Sequence, residues 1–297
     1  MTQPTLPILV DVLNLLSQIG DATRITGISP LSGGCIHRVY RIATEKRAYL
    51  VKWNPNPLPD IFEVEAQGLG LLAGTGAVRV PQVLAVHHQP DFILLEWIQS
   101  DMDPPEWDQE QLGSQLAMLH RHPAGESYGL DRDNYIGANM QVNAWRTSWR
   151  AFFRDCRLVP QMKMAVKTGA LSGAPLHKLE WLIDHLDRWI DDRACRPSLL
   201  HGDLWSGNVI PGPGGQPVLI DPAVYYGERE AELAFTELFG GFSRRFYQAY
   251  HSIWPIDPAY SARRDLYNLY HLLNHLNLFG PAYAGSVRAT IEHYSDR

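Results

Sequence analysis

The chain has 297 residues, 45% hydrophobic and 20% charged, with a formal net charge of -6. This is an ordinary globular composition, long enough for one large domain or two lobes, and its acidic balance gives no electrostatic reason to expect nucleic acid or an anionic membrane as partner. No apolar run approaches membrane-spanning length, the start "MTQPTLPILVDVLNLL" lacks a basic segment and a cleavage site, and three scattered cysteines (Cys35, Cys156 and Cys195) suit neither a disulfide framework nor a zinc site, so a cytoplasmic protein with reduced thiols is expected.

In chain order, the first part reads as mostly strand. "RITGISPL", "HRVYRIAT", "RAYLVKW" and "DFILLEWI" are short, rich in β-branched or aromatic residues and separated by turn residues. One helix interrupts them: "FEVEAQGLGLLA", residues 62–73, puts Phe62, Ala66, Leu69 and Ala73 on one face. The prolines and acids of "WIQSDMDPPEWD", residues 97–108, break the periodicity and mark a boundary. Helical spacing follows near 109–120, 143–168, 175–193, 231–239, 243–252 and 263–279, and 208–220 reads as a small hairpin turned by "PGPGG". The expected class is α+β: a β-rich N-terminal lobe with one key helix over residues 1–98, and a larger, mostly helical lobe over 99–297.

The residues with chemistry begin at "HGDLWSGNVI". His201, Asp203, Leu204 and Asn208 fit the kinase catalytic-loop spacing H-x-D-L-x-x-x-N. The spacing lets Asp203 reach an attacking hydroxyl while Asn208 turns toward a metal on the phosphates. "VLIDPA" then places Asp221 after a strand, and Asn208 and Asp221 are hard oxygen ligands suited to Mg²⁺. Upstream, "LSGGCIHRVYRI" sets Ser32, Gly33, Gly34 and Cys35 between two strands, where backbone N–H groups could meet phosphate oxygens of ATP, although the same dipeptide also serves as a plain hairpin turn. Lys52 ends an alternating strand, with Tyr49 and Val51 on one face and Leu50 and Lys52 on the other; it could bind the α- and β-phosphates, although taken alone it reads as an exposed strand-end lysine. Glu65 on the following helix is its expected partner. Glu63 is the competitor; two residues apart, the two point to different faces, and Glu65 is preferred because it sits nearer the apolar stripe. The strand end Glu96, Trp97 and Ile98 could offer backbone groups to an adenine edge, and reads equally as an ordinary buried strand.

Other chemistry finds no support. There is no G-x-S-x-G and no H-E-x-x-H, and His271 and His275, although four residues apart, have no third ligand nearby and read as a helix face. Trp145, Trp149, Phe152 and Phe153 recur at helical intervals and read as core. Arg146, Arg150 and Arg154 form a basic stripe that reads as a solvated face. Cys156 and Cys195 read as buried packing.

"HGDLWSGNV" together with "DPAVYYGEREAELAFTELFGGF" resembles the fructosamine kinase (ketosamine-3-kinase) family, which is part of the protein-kinase-like superfamily beside aminoglycoside and choline kinases. The resemblance spans nearly the whole chain, including the glycine loop, "FEVEAQGLGLLA" with "VRVPQVL", the segment "YIGANMQVNAWRTSWRAFFRDCRLVPQMKMA" and "HLLNHLNLFG", and its specific element is the tryptophan of HGDLWSGN. It implies a protein-kinase-like two-lobe fold using ATP and Mg²⁺. Asp203 would be the base for a sugar hydroxyl, Asn208 and Asp221 would hold Mg²⁺, and Lys52 with Glu65 would position the triphosphate. Trp205 would flank the substrate and His275 would line its site. The implied reaction phosphorylates the 3-hydroxyl of a ketosamine, free or protein-bound. The unstable 3-phosphate then lets the sugar leave the amine, a deglycation repair. The resemblance also raises a redox role for Cys35, including a disulfide to a second subunit, beside the plain reading of a small side chain filling a tight loop. Monomer and homodimer both stay open.

Departures from protein kinases are informative. Gly202 replaces the arginine that would read an activation-loop phosphate, Pro222 and Ala223 follow Asp221, and no A-P-E element follows, so no activation-loop switch is expected. Two competing readings are a kinase for another hydroxylated metabolite, such as an aminoglycoside or amino alcohol, and a non-catalytic nucleotide-binding scaffold. Polycationic substrates call for an acidic wall that the C-terminal half lacks, and a scaffold would have lost Lys52, Asp203, Asn208 or Asp221, all of which are present.

Overall fold

A computed structural model describes residues 6–31, 36–101 and 106–296. The loop of Ser32, Gly33, Gly34 and Cys35, with the phosphate-binding and redox roles expected of it, lies outside the described residues, as does part of the proline-rich boundary. The chain divides into two compact units, Met1–Trp107 with Ile210–Ile220, and Asp108–Val209 with Asp221–Arg297.

The first unit begins with helix α1 (Leu9–Gln18), followed by β1 (Ile25–Leu31), β2 (Arg38–Thr44), β3 (Ala48–Trp53), α2 (Ile61–Gly74), β4 (Val83–His87) and β5 (Phe92–Glu96). The strands form one antiparallel sheet in the order β1-β2-β3-β5-β4. Alternation along β3 and β5 decides what each face carries. Tyr49, Val51, Trp53, Phe92 and Leu94 join Val12, Leu15 and Leu16 of α1 in one apolar cluster. Lys52 therefore points to the other face, where it meets α2. Helix α1 was not foreseen, although Val12, Leu15, Leu16 and Ile19 recur at helical spacing. Its end is pinned by Asp21, whose buried carboxylate accepts from Thr44 Oγ1 at 2.8 Å and Tyr49 Oη at 2.6 Å.

The remaining elements are α3 (Gln109–Arg121), β6 (Asn134–Ile136), β7 (Asn139–Gln141), α4 (Trp149–Phe152), a π-helical turn (Phe153–Leu158), α5 (Val159–Lys167), α6 (Gly173–Asp184), β8 (Pro197–Leu200), β9 (Val209–Pro211), β10 (Pro217–Leu219), β11 (Tyr225–Glu228), α7 (Arg229–Leu238), α8 (Arg244–Ile253), α9 (Tyr260–Phe279) and α10 (Ala284–Ser295). Caps explain where some helices start: Asp108 accepts from the N–H groups of Glu110 and Gln111, and Ser148 from Ala151. The β9–β10 hairpin stands where expected, but Ile210–Ile220 counts with the first unit rather than with the helical part. The reason is backbone pairing of Val218 with Arg79, Leu219 N–H donating to Arg79 O at 2.8 Å, and Gly214 N–H donating to Asp101 at 2.7 Å.

Several expectations need correction. The segment 143–168 is not one helix, because helix starts only at the Ser148 cap and passes through the π turn. Near 175–193 the helix ends at Asp184, while α10 was not foreseen. Trp149, Phe152 and Phe153 are core, but Trp145 is 42% exposed, with its indole N–H on Asp131 and its ring stacked on Tyr226. The arginine stripe is a partly exposed face that carries surface ion pairs: Arg146 and Arg154 with Asp155, and Arg150 with Asp192. No described helix is long and apolar enough to cross a membrane.

Candidate active site

Strand β8 delivers the loop 201–208, and β11 pairs with it antiparallel, Tyr225 opposite Leu200 through Glu228 opposite Pro197. The stitching continues past the strand ends, where Ala223 N–H donates to His201 O at 2.8 Å. Gly202 sits at φ +84°, and a Cβ there would fall 2.0 Å from Ala223 O. No side chain fits this close approach, which gives a physical reason for glycine where protein kinases carry arginine. Three residues on, Trp205 lays its ring over Gly207, where a Cβ would meet the indole at 2.1 Å, and stays 40% exposed. Ser206 rests in the same way against Gly241, a position of φ +92°.

Within this frame Asp203 is half-buried and Asn208 is buried. The Asn208 amide nitrogen donates to Asp203 O at 2.8 Å and to Asp203 Oδ2 at 3.1 Å, which leaves the amide oxygen as the end available to a cation. Asp221 follows β10 by two positions and adopts φ +55°, left-handed backbone for a residue with a Cβ. Desolvation raises the Asp203 carboxyl well above the usual carboxylate range. The negative charge of Asp221 adds to the rise, and the Asn208 hydrogen bond opposes it. Two carboxylates that repel each other beside an amide oxygen form a donor set of the kind Mg²⁺ takes. Among the described residues no cluster of three or more His, Cys, Asp or Glu makes an all-protein metal cage. Mg²⁺ needs none, because it is commonly held by one or two carboxylates together with substrate phosphates. The residues present therefore fit the ion.

The loop has a support that the sequence reading missed. Glu232 of α7 is buried, and its carboxylate accepts from His201 N–H at 3.1 Å and Gly202 N–H at 2.6 Å. His120 Nε2 lies 2.9 Å from the same carboxylate, with Tyr250 Oη 2.8 Å from His120 Nδ1. Desolvation opposes the charge on Glu232, but the hydrogen bonds and positive neighbours prevail and hold its carboxyl below the usual range. The available signal was an acid enclosed by Ala231, Leu233, Ala234 and Phe235 in a helical stretch.

In the first unit, Lys52 Nζ and Glu65 Oε1 stand 2.5 Å apart, with side chains 10% and 11% exposed. Glu63 instead pairs with the exposed His88 at 2.9 Å. The Glu96 carboxylate is engaged with Arg79 and with Gln82 N–H, and Glu96 N–H donates to Gln82 O at 2.9 Å, so neither is the group that would read an adenine edge. Trp97 hydrogen-bonds Gln99 and carries Arg41 over its ring, while Ile98 lies beside Gly212. His275 donates from Nδ1 to His271 O at 2.8 Å and lies among Phe239, Tyr283 and Phe279 at 4.9, 5.0 and 5.4 Å between centroids. Burial lowers its pKa. His271 stacks on Phe235 at 3.6 Å. Cys156 and Cys195 are buried free thiols.

The sequence profile of the fructosamine kinases matches residues 11–297. A probable ketoamine kinase of Vibrio parahaemolyticus is 41% identical over 271 residues, 90% of this chain and 92% of the relative. A chloroplastic protein-ribulosamine 3-kinase of Oryza sativa subsp. japonica is 38% identical over 279 residues, 93% of this chain and 80% of the relative. A solved structure from Thermobifida fusca, assigned as a fructosamine-3-kinase, superposes with a TM-score of 0.86 at 30% identity, covering 98% of this chain and 99% of the other. The aminoglycoside phosphotransferase APH(4)-Ia, in a ternary complex with AMP-PNP and hygromycin B, shares the protein-kinase-like fold at TM-score 0.64 and 18% identity, covering 97% of this chain and 98% of the other.

Proposed function

Since the chain belongs to the fructosamine kinase family and is a kinase, we propose that it transfers the γ-phosphoryl group of ATP to the 3-hydroxyl of a ketosamine, a fructosamine or ribulosamine. Asp203 is the base. As the acceptor oxygen bonds to phosphorus, its proton passes to the Asp203 carboxylate, and the bond from phosphorus to the departing ADP oxygen breaks. A raised affinity for protons suits that task, and desolvation beside Asp221 supplies it. Asn208 orients the carboxylate through its amide nitrogen. Asn208 and Asp221 would hold Mg²⁺, which when bound neutralises phosphate charge. Lys52, aimed by Glu65, takes the α- and β-phosphates of ATP.

The single observation that carries this reading is the joining of the 201–208 loop to the Asp221 turn through the Ala223 peptide, which sets base and metal carboxylate in one rigid frame. Exposed Trp205 offers a flat apolar face to a sugar ring, and the names of the relatives, ketoamine kinase and ribulosamine 3-kinase, point to the ketosamine class. The product would shed its 3-phosphate and release the amine, which makes the reaction a deglycation step. The test is incubation with ATP·Mg and a panel of fructosamines, ribulosamines, amino alcohols and aminoglycosides, following ADP release. Turnover with the ketosamines supports the assignment, and turnover with aminoglycosides alone rejects it.

A further inference from the structure

Arg157 is fully buried, yet none of its hydrogen-bond partners is a carboxylate. Its guanidinium donates to Val142 O at 2.6 Å, to Cys156 O at 2.9 Å and to Asn143 Oδ1 at 2.9 Å, while Nε has no partner. Its charge is met by rings: Tyr225 at 3.8 Å, Phe152 at 4.5 Å and Tyr270 at 5.4 Å. The residue rides on the π-helical turn, a device frequent at functional sites. Among the described residues no carboxylate pairs with it, and a buried cation that is not ion-paired is costly, so its presence asks for a reason.

The reason lies in what a guanidinium can do, which is donate only. Asn143 must turn its oxygen to Arg157, so its amide nitrogen donates to Asn134 Oδ1 at 2.9 Å. Asn134 must then donate its own nitrogen, which goes to Val224 O at 2.8 Å. Gln141 donates to the same Asn134 oxygen at 2.8 Å and to Ala223 O at 3.0 Å, which leaves its oxygen for Tyr270 Oη at 2.7 Å. The relay runs from a group that only donates to two backbone carbonyls that only accept, so every amide in it has one allowed orientation. Its far end grips the peptides just after Asp221, and the Ala223 N–H is the group tied to His201 O.

We infer that Arg157 is a positioning residue: through Asn143, Asn134 and Gln141 it holds the carbonyls of Ala223 and Val224, and so keeps the left-handed Asp221 turn in register with the catalytic loop. This rests on the proposed reading of Asp221 as a metal-holding residue. Groups that hydrogen-bond metal ligands directly typically change metal affinity about 10- to 100-fold when removed, and a relay one step further out is set at the lower end of that range.

The test is Mn²⁺ binding to the ADP-saturated protein, read by electron paramagnetic resonance, together with thermal unfolding, for wild type, Arg157→Met, Gln141→Leu and Asp221→Asn. The expected result is a Mn²⁺ affinity weakened about tenfold or more in Arg157→Met and Gln141→Leu, with Asp221→Asn weaker still. Lowered melting with unchanged Mn²⁺ affinity in the two relay variants, while Asp221→Asn loses the ion, would overturn the relay and leave the metal reading standing. Wild-type Mn²⁺ affinity in Asp221→Asn would overturn the metal reading, and the relay with it. Should Arg157→Met not fold, Gln141→Leu, which keeps the guanidinium and removes the donor to Ala223 together with the bonds to Asn134 and Tyr270, decides by the same criterion.

Discussion

Glu232 accepts the backbone N–H of Gly202 at 2.6 Å, so a buried carboxylate on one helix fixes the peptide next to the proposed base. Charge-assisted bonds of this type contribute roughly 1.5–3 kcal/mol. Glu232→Gln keeps the size, loses the charge and leaves His120 without its carboxylate. We expect kcat to fall roughly tenfold to hundredfold and the melting temperature to drop. Steady-state kinetics and calorimetry on the same samples check both.

Gly202 is the tightest point of the frame. An alanine Cβ would lie 2.0 Å from Ala223 O, at a φ of +84° that alanine resists. Either the His201–Ala223 hydrogen bond opens or the loop shifts, and a displacement near 1 Å at a catalytic group costs about hundredfold in rate. Gly202→Ala should fold with reduced stability and show at least that loss in kcat. A variant within threefold of wild type would contradict the close approach.

Of the two glutamates of α2, only Glu65 should matter for ATP kinetics. Lys52→Met removes the buried ammonium, and kcat/KM for ATP should fall about tenfold or more. Glu65→Gln should show a smaller loss of the same kind, because it aims the ammonium. Glu63→Gln breaks only a pair with the 65% exposed His88 ring and should leave ATP kinetics unchanged. Three KM curves for ATP decide the point.

Stability should carry a pH signature from Glu228. Burial pushes its carboxyl from 4.5 up to about 7, against the hydrogen bond it accepts from Arg196 N–H. The folded state therefore holds a proton that the unfolded chain releases. The resulting stabilisation is complete below about pH 4.5 and is lost as pH rises through about 7, a change of about 3 kcal/mol. Glu228→Gln should flatten the difference in unfolding free energy between pH 5 and 7, as measured by denaturant titration at each pH. A parallel pH profile in variant and wild type would contradict it.

Much of this was legible in the sequence because the signals are local. Strand alternation alone sent Lys52 away from Tyr49 and Val51, and Glu65 was preferred to Glu63 because it sits nearer the apolar stripe of its helix. Family membership and the kinase-like fold were legible in "HGDLWSGNV" and the segment after Asp221. What was not legible depends on contacts between distant residues. Nothing near Glu232 says that its carboxylate will find His201 and Gly202, 31 and 30 residues earlier. The partner of the Glu96 carboxylate, Arg79, stands 17 positions away and could not be read from the strand itself. The π turn hid Arg157 within what reads as a regular amphipathic helix. The hairpin read correctly as a hairpin, yet only its backbone bridge to Arg79 decides which unit it joins.

The central claim is that Asp203 takes the proton of a ketosamine hydroxyl during phosphoryl transfer, and it is tested most directly by Asp203→Asn. With ATP·Mg and a fructosamine, the wild type should release ADP and yield a sugar phosphorylated at carbon 3. The variant should bind nucleotide with near wild-type affinity and turn over at least 100-fold more slowly. Turnover by Asp203→Asn at a rate close to wild type, with the same 3-phosphate as product, would contradict the account.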